Sequence, residues 1–318
     1  GGNGRNIVAF VKGNTKERPL GFAAHMDQIE PCRNVNPVIN GNIISTDKTT
    51  TLGGDDKAGI SAIMEAVEDI IESGVPHRDI YLVFTCSEEI SMMGTKHMDM
   101  SMLPCKELVV VDATGGAETL AYKAPAMEAI EITFKGKKAH AGIEPEKGIN
   151  AIVVASKAIS KMHIGRIDYE TTSNIGHIEG GSATNIVTDE VTFTAEIRSH
   201  SMEKLAAEVA HMEQCCKEAV EEMGACYEMK HEMAYPVLSL EEDCELIQDT
   251  VNAMAEERIT ANKMIIGGGS DANVLAGHGY KSVILGCGMI NVHTVEEALD
   301  TDETWKVTKV LRRLMGAE

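Results

Sequence analysis

Ile80-Tyr-Leu-Val-Phe-Thr-Cys-Ser-Glu-Glu89 is an apolar run that stops on two adjacent carboxylates. The run does not alternate, so it predicts a strand buried on both faces, as in a sheet covered by helices. Side-by-side glutamates repel, and a solvated turn is the plain explanation unless a cation lies against them. The same arrangement recurs along the chain. Leu20-Gly-Phe-Ala-Ala24 delivers His25, with Asp27 two residues on, and Leu108-Val-Val-Val111 delivers Asp112. Ser282 to Gly286 is followed by Gly288-Met-Ile-Asn-Val-His293. Asn6 to Val11 also reads as a strand. Ala58 to Ser73 places Ile60, Ile63, Met64, Val67, Ile70 and Ile71 at helical spacing. Strands that alternate with helices predict an α/β fold with a helix-covered mixed sheet.

The middle of the chain has another character. Ala129 to Phe134 and Val191 to Ile197 alternate apolar and polar residues, the mark of half-buried strands. Two amphipathic helices are expected, at about 149–162 and 202–223, the second with Leu205, Val209, Met212, Cys216, Val220 and Met223 as one stripe. Two helices against an antiparallel sheet make a compact α+β unit. Its expected span is 117–236, inserted into a first domain made of 1–116 and 237–318. After Pro236, helices over 241–257 and 301–315 flank the last apolar strand and complete the first sheet.

The formal net charge of −20 argues against nucleic acid as a partner, since phosphate binding needs clustered Lys and Arg. The eight cysteines contain no C-x-x-C pair, which argues against a cysteine zinc site. In a chain of 318 residues they read as buried, reduced thiols, hence a cytoplasmic location. No stretch approaches the roughly 20 apolar residues of a membrane span, and no charged-then-apolar leader opens the chain, so no membrane partner is expected.

Thr51-Leu-Gly-Gly-Asp-Asp-Lys-Ala-Gly59 is the most specific of the polar clusters. Its glycines permit a tight turn, and two aspartates then stand at a helix N-terminus, where negative charge is favoured. Capping uses only one carboxylate, which frees the other to bridge two cations. Each cluster taken singly is better explained as a cap or a solvated turn. Together they predict five ligands at one edge of one sheet: His25, Asp55, Glu89, Asp112 and His293. With Asp55 shared, each of two divalent metals receives three protein ligands and keeps an open position, the pattern of hydrolytic rather than structural zinc. Zn²⁺ is expected, and Co²⁺ or Mn²⁺ also suit these donors. Glu88, left unligated, is placed to take a proton from water. Asp27 is the support for His25. Gly267-Gly-Gly-Ser-Asp-Ala-Asn273 is a glycine-rich loop opening a helix, and its backbone N–H groups, around Gly268 and Ser270, could bind a substrate carboxylate. The plain alternative is a turn with Asp271 as cap.

Ala24-His-Met-Asp27, Gly54-Asp-Asp-Lys-Ala-Gly59, Lys138-Ala-His-Ala-Gly142 and Gly180-Gly-Ser-Ala-Thr-Asn185 occur in this order. The series resembles the M20 family of metallopeptidases, most closely its peptidase T (tripeptide aminopeptidase) branch, from about residue 6 to the C-terminus. The resemblance implies a zinc-peptidase-like catalytic domain and an inserted lid domain that dimerises. It implies that His25 and Asp112 bind one metal and Glu89 and His293 the other, with Asp55 between them and a cis Asp55–Asp56 bond. Glu88 becomes the general base and Asp27 the partner of His25. His140 would reach the partner subunit's active site to stabilise the oxyanion, and Asn185 and Arg198 would hold substrate. Without the resemblance, His140 reads as a turn residue and Arg198 as a solvated strand end. Family members carry a helical segment before the first strand. This chain starts almost at that strand, with Gly1-Gly-Asn-Gly4, so a shortened N-terminus is expected.

The function so implied is hydrolysis of short peptides, releasing the N-terminal residue, by a homodimer joined through the lid. An amidohydrolase that removes an acyl group and a carboxypeptidase would use the same metal site. A catalytically silent metal-binding dimer is the alternative of another class, and no ligand or base is substituted to favour it. A Rossmann-type nucleotide binder would need a G-x-G-x-x-G after the first strand, which this chain lacks.

Overall fold

The computed structural model describes residues 3–316. Gly1 and Gly2, at the end where a shortened N-terminus is expected, lie outside the described residues, as do Ala317 and Glu318. The chain forms two compact units, one running to Ala124 and resuming at Leu238, the other Pro125–Val237.

The first unit begins with β1 (Ile7–Val11), β2 (Leu20–His25), a hairpin of β3 (Pro37–Asn40) and β4 (Ile43–Thr46), and α1 (Gly54–Ser73). It continues through β5 (Ile80–Thr85), the short α2 (Met93–Lys96), β6 (Glu107–Thr114) and β7 (Thr119–Ala124). The second unit contains β8 (Ala126–Lys135), α3 (Ala151–Ile159), β9 (Gly165–Arg166), β10 (Thr171–Gly180), β11 (Glu190–Ser199), α4 (Met202–Met223) and β12 (Cys226–Tyr235). The chain then returns with β13 (Leu238–Ser239), α5 (Glu245–Glu256), β14 (Asn262–Ile265), α6 (Asp271–Gly277), β15 (Lys281–Ile290), β16 (Ala298–Asp300) and α7 (Thr301–Leu314).

In the first unit the sheet order is β1-β5-β2-β6-β15-β16-β4-β3, with β7, β13 and β14 paired off this path. β5, β2, β6 and β15 are mutually parallel neighbours, so their C-terminal ends share one edge. β2 is buried throughout and β15 along all but its end residues, as runs without alternation require. One face packs on α1, α5 and α7 through Phe22, Ile63, Ile70, Leu246, Val307 and Leu311. The other face packs on α6 through Ala23, Val110 and Leu275. Truncating a fully buried isoleucine such as Ile63 to alanine costs about 2–5 kcal/mol, so this core holds the edge rigid. The apolar stripe of α1 is narrower than expected: Met64 and Ile71 point to solvent, and Ala58, Ala62 and Ala66 take the buried places.

In the second unit five antiparallel strands run in the order β12-β8-β11-β10-β9. β8 and β11 alternate buried and half-buried residues, and α3 and α4 pack on them around Phe134, Phe193, Val154 and Met212. The mixed helix-covered sheet and the inserted antiparallel unit with two helices are the fold expected from the sequence. Its first boundary differs. Residues 119–124 form β7, which pairs with β13, β14 and β15 of the first sheet, so the second unit starts at Pro125 rather than at 117. Gly115 and Gly116 bend the chain there without ending the unit, because β7 still buries Leu120 and Ala121 in the first core.

Candidate metal centre

The shared C-terminal edge of β5, β2, β6 and β15 gathers the charged residues of the first unit. His25 is the last residue of β2, and Asp112 lies inside β6, two residues before its end. Glu88 and Glu89 follow β5, His293 follows β15, and Asp55 lies at the start of α1. The five expected ligands fall into two groups, His25 with Asp55 and Asp112, and Asp55 with Glu89 and His293. Within each group one donor atom from every side chain lies within 4.8 Å of the others. His25 Nε2 is 2.9 Å from Asp55 Oδ1 and 3.8 Å from Asp112 Oδ1. His293 Nε2 is 3.2 Å from Asp55 Oδ2 and 3.0 Å from Glu89 Oε2. Asp55 thus turns one oxygen to each group. Glu88 belongs to neither.

Local hydrogen bonds set each of these side chains. The Asp55–Asp56 peptide is cis, and the φ/ψ angles of both aspartates are non-helical, so regular helix begins after them. Asp56 is fully buried. Its Oδ1 accepts the Gly59 N–H at 3.2 Å, and its Oδ2 accepts the His25 N–H at 3.1 Å. It therefore caps the helix and pins the end of β2 with one carboxylate. Gly59 is required by packing, since a Cβ there would meet the Val111 carbonyl oxygen at 2.3 Å. Asp27 accepts the backbone N–H groups of Glu88 and Glu89, at 3.0 and 3.1 Å, and so fixes the glutamate turn. Its Oδ1 lies 3.6 Å from His25 Nδ1, beyond ordinary hydrogen-bond range. The expected Asp27–His25 contact is thus looser than Asp27's grip on the glutamates.

Glu297 was not singled out from the sequence. It is buried and accepts three backbone N–H groups of the aspartate loop, those of Leu52 (2.7 Å), Gly53 (2.9 Å) and Asp55 (2.9 Å). The only signal was a second acidic pair, Glu296-Glu297, shortly after His293. The plain alternative for the glycine-rich loop, a turn capped by Asp271, does not hold in its cap. Ser270 caps α6, in a reciprocal box with Asn273. Asp271 is instead buried, accepting the hydroxyls of Thr85 and Thr95, both at 2.5 Å.

The electrostatics follow from so many carboxylates in a buried place. Burial, with Asp271, Glu89 and Asp55 adding to it and His25 opposing, pushes Glu88 up to about 8. Burial likewise raises Asp56 and Asp112 well above the carboxylate range, and Glu89 above its ordinary value. Burial disfavours the charged form of Asp55 as well, but hydrogen bonds from His25 and His293 outweigh it and hold Asp55 low. For His25, burial works downward, and Asp27, Asp55, Asp112 and Asp56 more than reverse it, so its pKa is raised. The Asp55 hydrogen bond chiefly carries His293 up to about 8. His25 Nδ1 is buried without a hydrogen-bond partner. Two imidazoles and three carboxylates, one of them common to both groups, are a donor set that fits a pair of zinc-type cations, three protein ligands to each.

The remaining expected residues are distributed as follows. Gly268 is exposed in the loop ahead of α6, and the Ser270 hydroxyl is buried, accepting the Ala272 N–H at 3.3 Å. In the second unit His140 and Asn185 are both exposed. The backbone brings them together, since the Ala141 N–H donates to the Asn185 carbonyl at 3.0 Å and His140 bridges Ile186. Arg198 is half-buried and forms a bidentate pair with Glu196 at 2.9 and 3.0 Å. Seven of the twelve site residues expected from the sequence, the five ligands with Glu88 and Asp27, lie at the one sheet edge of the first unit.

Residues 127–224 match a family model described as a peptidase dimerisation domain. Residues 35–143, which hold Asp55, Glu88, Glu89 and Asp112, match one described as M42 glutamyl aminopeptidase. The uncharacterized protein YqjE of Bacillus subtilis (strain 168) is 40% identical over 306 residues, covering 96% of this chain and 82% of that protein. Among solved structures, aminopeptidase PepT from Bacillus cereus ATCC 10987 superposes with a TM-score of 0.91 at 35% identity, covering 98% of this chain and 84% of that one. A tripeptidase from Staphylococcus aureus subsp. aureus Mu50 superposes with a TM-score of 0.94 at 34% identity, covering 98% and 83%.

Proposed function

The chain belongs to the M20 metallopeptidases, in the peptidase T-like branch, and we propose that it is a metal-dependent aminopeptidase releasing the N-terminal residue of tripeptides and other short peptides. The observation that carries the chemistry is Asp55 shared between two ligand groups, with Glu88 beside them and in neither. The substrate class rests on the likeness to PepT and to the tripeptidase.

His25 and Asp112 would hold one divalent cation, Glu89 and His293 the other, and Asp55 both. Zinc suits this mixture of imidazole and carboxylate best, and Co²⁺ or Mn²⁺ would also serve. Bound cations polarise the scissile carbonyl and acidify water at neutral pH. Glu88 accepts the proton of the attacking water and passes it to the leaving amine. Burial and its like-charged neighbours already raise its proton affinity, which suits both halves of that task. Asp27 and Asp56 do not react. They hold the Glu88–Glu89 turn and the end of β2 in place. His140, exposed on the second unit, donates to the oxyanion in the partner subunit of a homodimer. Asn185, Arg198 and the loop at Gly268 and Ser270 bind the peptide's backbone and carboxylate. The match to a dimerisation domain supports the homodimer, and eight free cysteines suit a reducing cytoplasm. Among the described residues, no helix is long and apolar enough to cross a membrane.

Incubating the zinc-loaded protein with a tripeptide of three different residues, its N-acetylated form and a dipeptide tests this reading. Free N-terminal residue plus dipeptide is expected from the unblocked tripeptide alone. Release of the C-terminal residue, or of acetate, would replace it with a carboxypeptidase or a deacylase.

A further inference from the structure

A second group of metal-type donors lies in the other unit, on the face of α4 turned to α3. Glu208 and His211 are three residues apart on α4, so they project from one side of one helical turn. His163 comes from the loop after α3. One donor atom from each of His163, Glu208 and His211 lies within 4.8 Å of the others. His163 Nδ1 is 3.1 Å from Glu208 Oε2, and the two imidazole rings stack with centroids 4.0 Å apart.

Glu208 is the anomaly here. It is the single charged residue among the buried positions of α4, beside Leu205, Met212, Cys215 and Cys216. Its side chain is nine-tenths buried, and Oε1 has no hydrogen-bond partner. A carboxylate buried with one oxygen unsatisfied is costly. The contact with His163 serves only the other oxygen. His211 is anchored from behind, where its Nε2–H donates to the Lys161 carbonyl at 3.2 Å and Cys215 Sγ lies 3.7 Å from the same nitrogen. A backbone carbonyl on one ring nitrogen fixes the tautomer and leaves Nδ1 with its lone pair, the usual second-shell support of a ligating imidazole. His163 is about half exposed, which leaves an entry path.

We propose that His163, Glu208 and His211 form a binding site for a zinc-class transition-metal ion, independent of the sheet-edge centre. Two imidazoles and one carboxylate select Zn²⁺ over Mg²⁺ or Ca²⁺, which prefer all-oxygen shells. The Glu-x-x-His spacing is the one by which a single helix offers both donors to one metal. The three donors stand within 4.8 Å of one another, against about 4 Å for donors about 2.0–2.2 Å from a common ion. Because the two rings stack nearly parallel, the exposed His163 ring turns to bring its in-plane lone pair to the ion. The ion would tie the loop after α3 to the middle of α4.

The test is the zinc content of the whole protein, stripped with chelator, re-equilibrated in low-micromolar zinc and passed through a desalting column. Wild type is expected to keep one zinc per chain more than H163A, and the same difference is expected against H163Q, a conservative change at an exposed position. Zinc should raise the melting temperature of wild type more than that of either variant, and magnesium should not. Equal zinc in wild type and variants would overturn the proposal and leave His163–Glu208 as an ion pair. Anomalous scattering at the zinc edge from zinc-equilibrated wild-type crystals needs no variant. A peak bounded by the three side chains supports the site, and its absence overturns it.

Discussion

The sheet edge of the first unit and the exposed residues of the second carry their polar side chains in opposite ways. At the edge, Asp27, Asp56 and Glu297 spend their oxygens on backbone N–H groups, and those bonds aim Glu88, Glu89, His25 and Asp55 at one another. In the second unit His140 and Asn185 stand in solvent, and Arg198 is already paired with Glu196. Buried charges need a reason to be buried, so the first region declares its chemistry by itself. Exposed polar residues need none, and the second region acquires a role only through a substrate or a partner subunit.

The comparison breaks most sharply at Asp55. D55N removes the carboxylate common to both ligand groups, and peptidase activity is expected to fall below detection as zinc bound at the edge is lost, read by activity and metal analysis of the same sample. D55N with normal zinc content would end the shared-ligand reading. H140A tests the other region. A drop of about 10²–10³ in kcat is expected, as for one oxyanion donor, with zinc content and melting temperature unchanged. E297Q sharpens the claim that the edge is set from behind. It keeps the side chain's size but loses its charge as acceptor for three N–H groups, and a 10–100-fold loss of zinc affinity is expected, with a parallel loss of activity that excess zinc restores.

The smallest effect is a pH slope. Glu88 and His293, at about 8 in the metal-free edge, are raised above their unfolded values, and so is His25. Stability carried by a raised group is complete below its unfolded pKa and is lost as pH rises through the folded one. Asp27 and Asp55 are lowered, so their share is complete once pH passes the ordinary carboxylate range. From about pH 5 to 8 the metal-free protein should therefore lose stability as pH rises, by melting temperature, and zinc should stabilise it more at the upper end. The exposed residues of the second unit should leave that slope unchanged, and a slope altered by H140A would blur the contrast.

Much of the first region was legible in the sequence, for a physical reason. His25, Glu88, Glu89, Asp112 and His293 each interrupt or follow an apolar run, where a charge is conspicuous. The parallel strands then had to bring those ends to one edge. Glu297 was illegible because Glu296-Glu297 sits in a polar stretch where acidic residues ordinarily face water. A boundary at 117 puts β7 in the second unit, because the pairing that keeps this strand in the first sheet, with β13, β14 and β15, is long-range. Met64 and Ile71 match the α1 stripe in helical spacing and hydrophobicity, yet three alanines take the buried places against the sheet. Glu208 was overlooked inside an apolar stripe, since helical spacing marks a position as buried without saying what charge it holds. In the second unit, His140, Asn185 and Arg198 were visible only through the family resemblance.

Glu88 separates a base from a ligand, and its substitution tests the centre most directly. Turnover of an unblocked tripeptide and zinc per chain are measured side by side for wild type and E88Q. The expected result is turnover reduced by about 10²–10⁴-fold or more, with zinc content unchanged. Wild-type turnover in E88Q, or loss of zinc together with turnover, would contradict the assignment of Glu88 as the proton acceptor beside an intact two-metal edge.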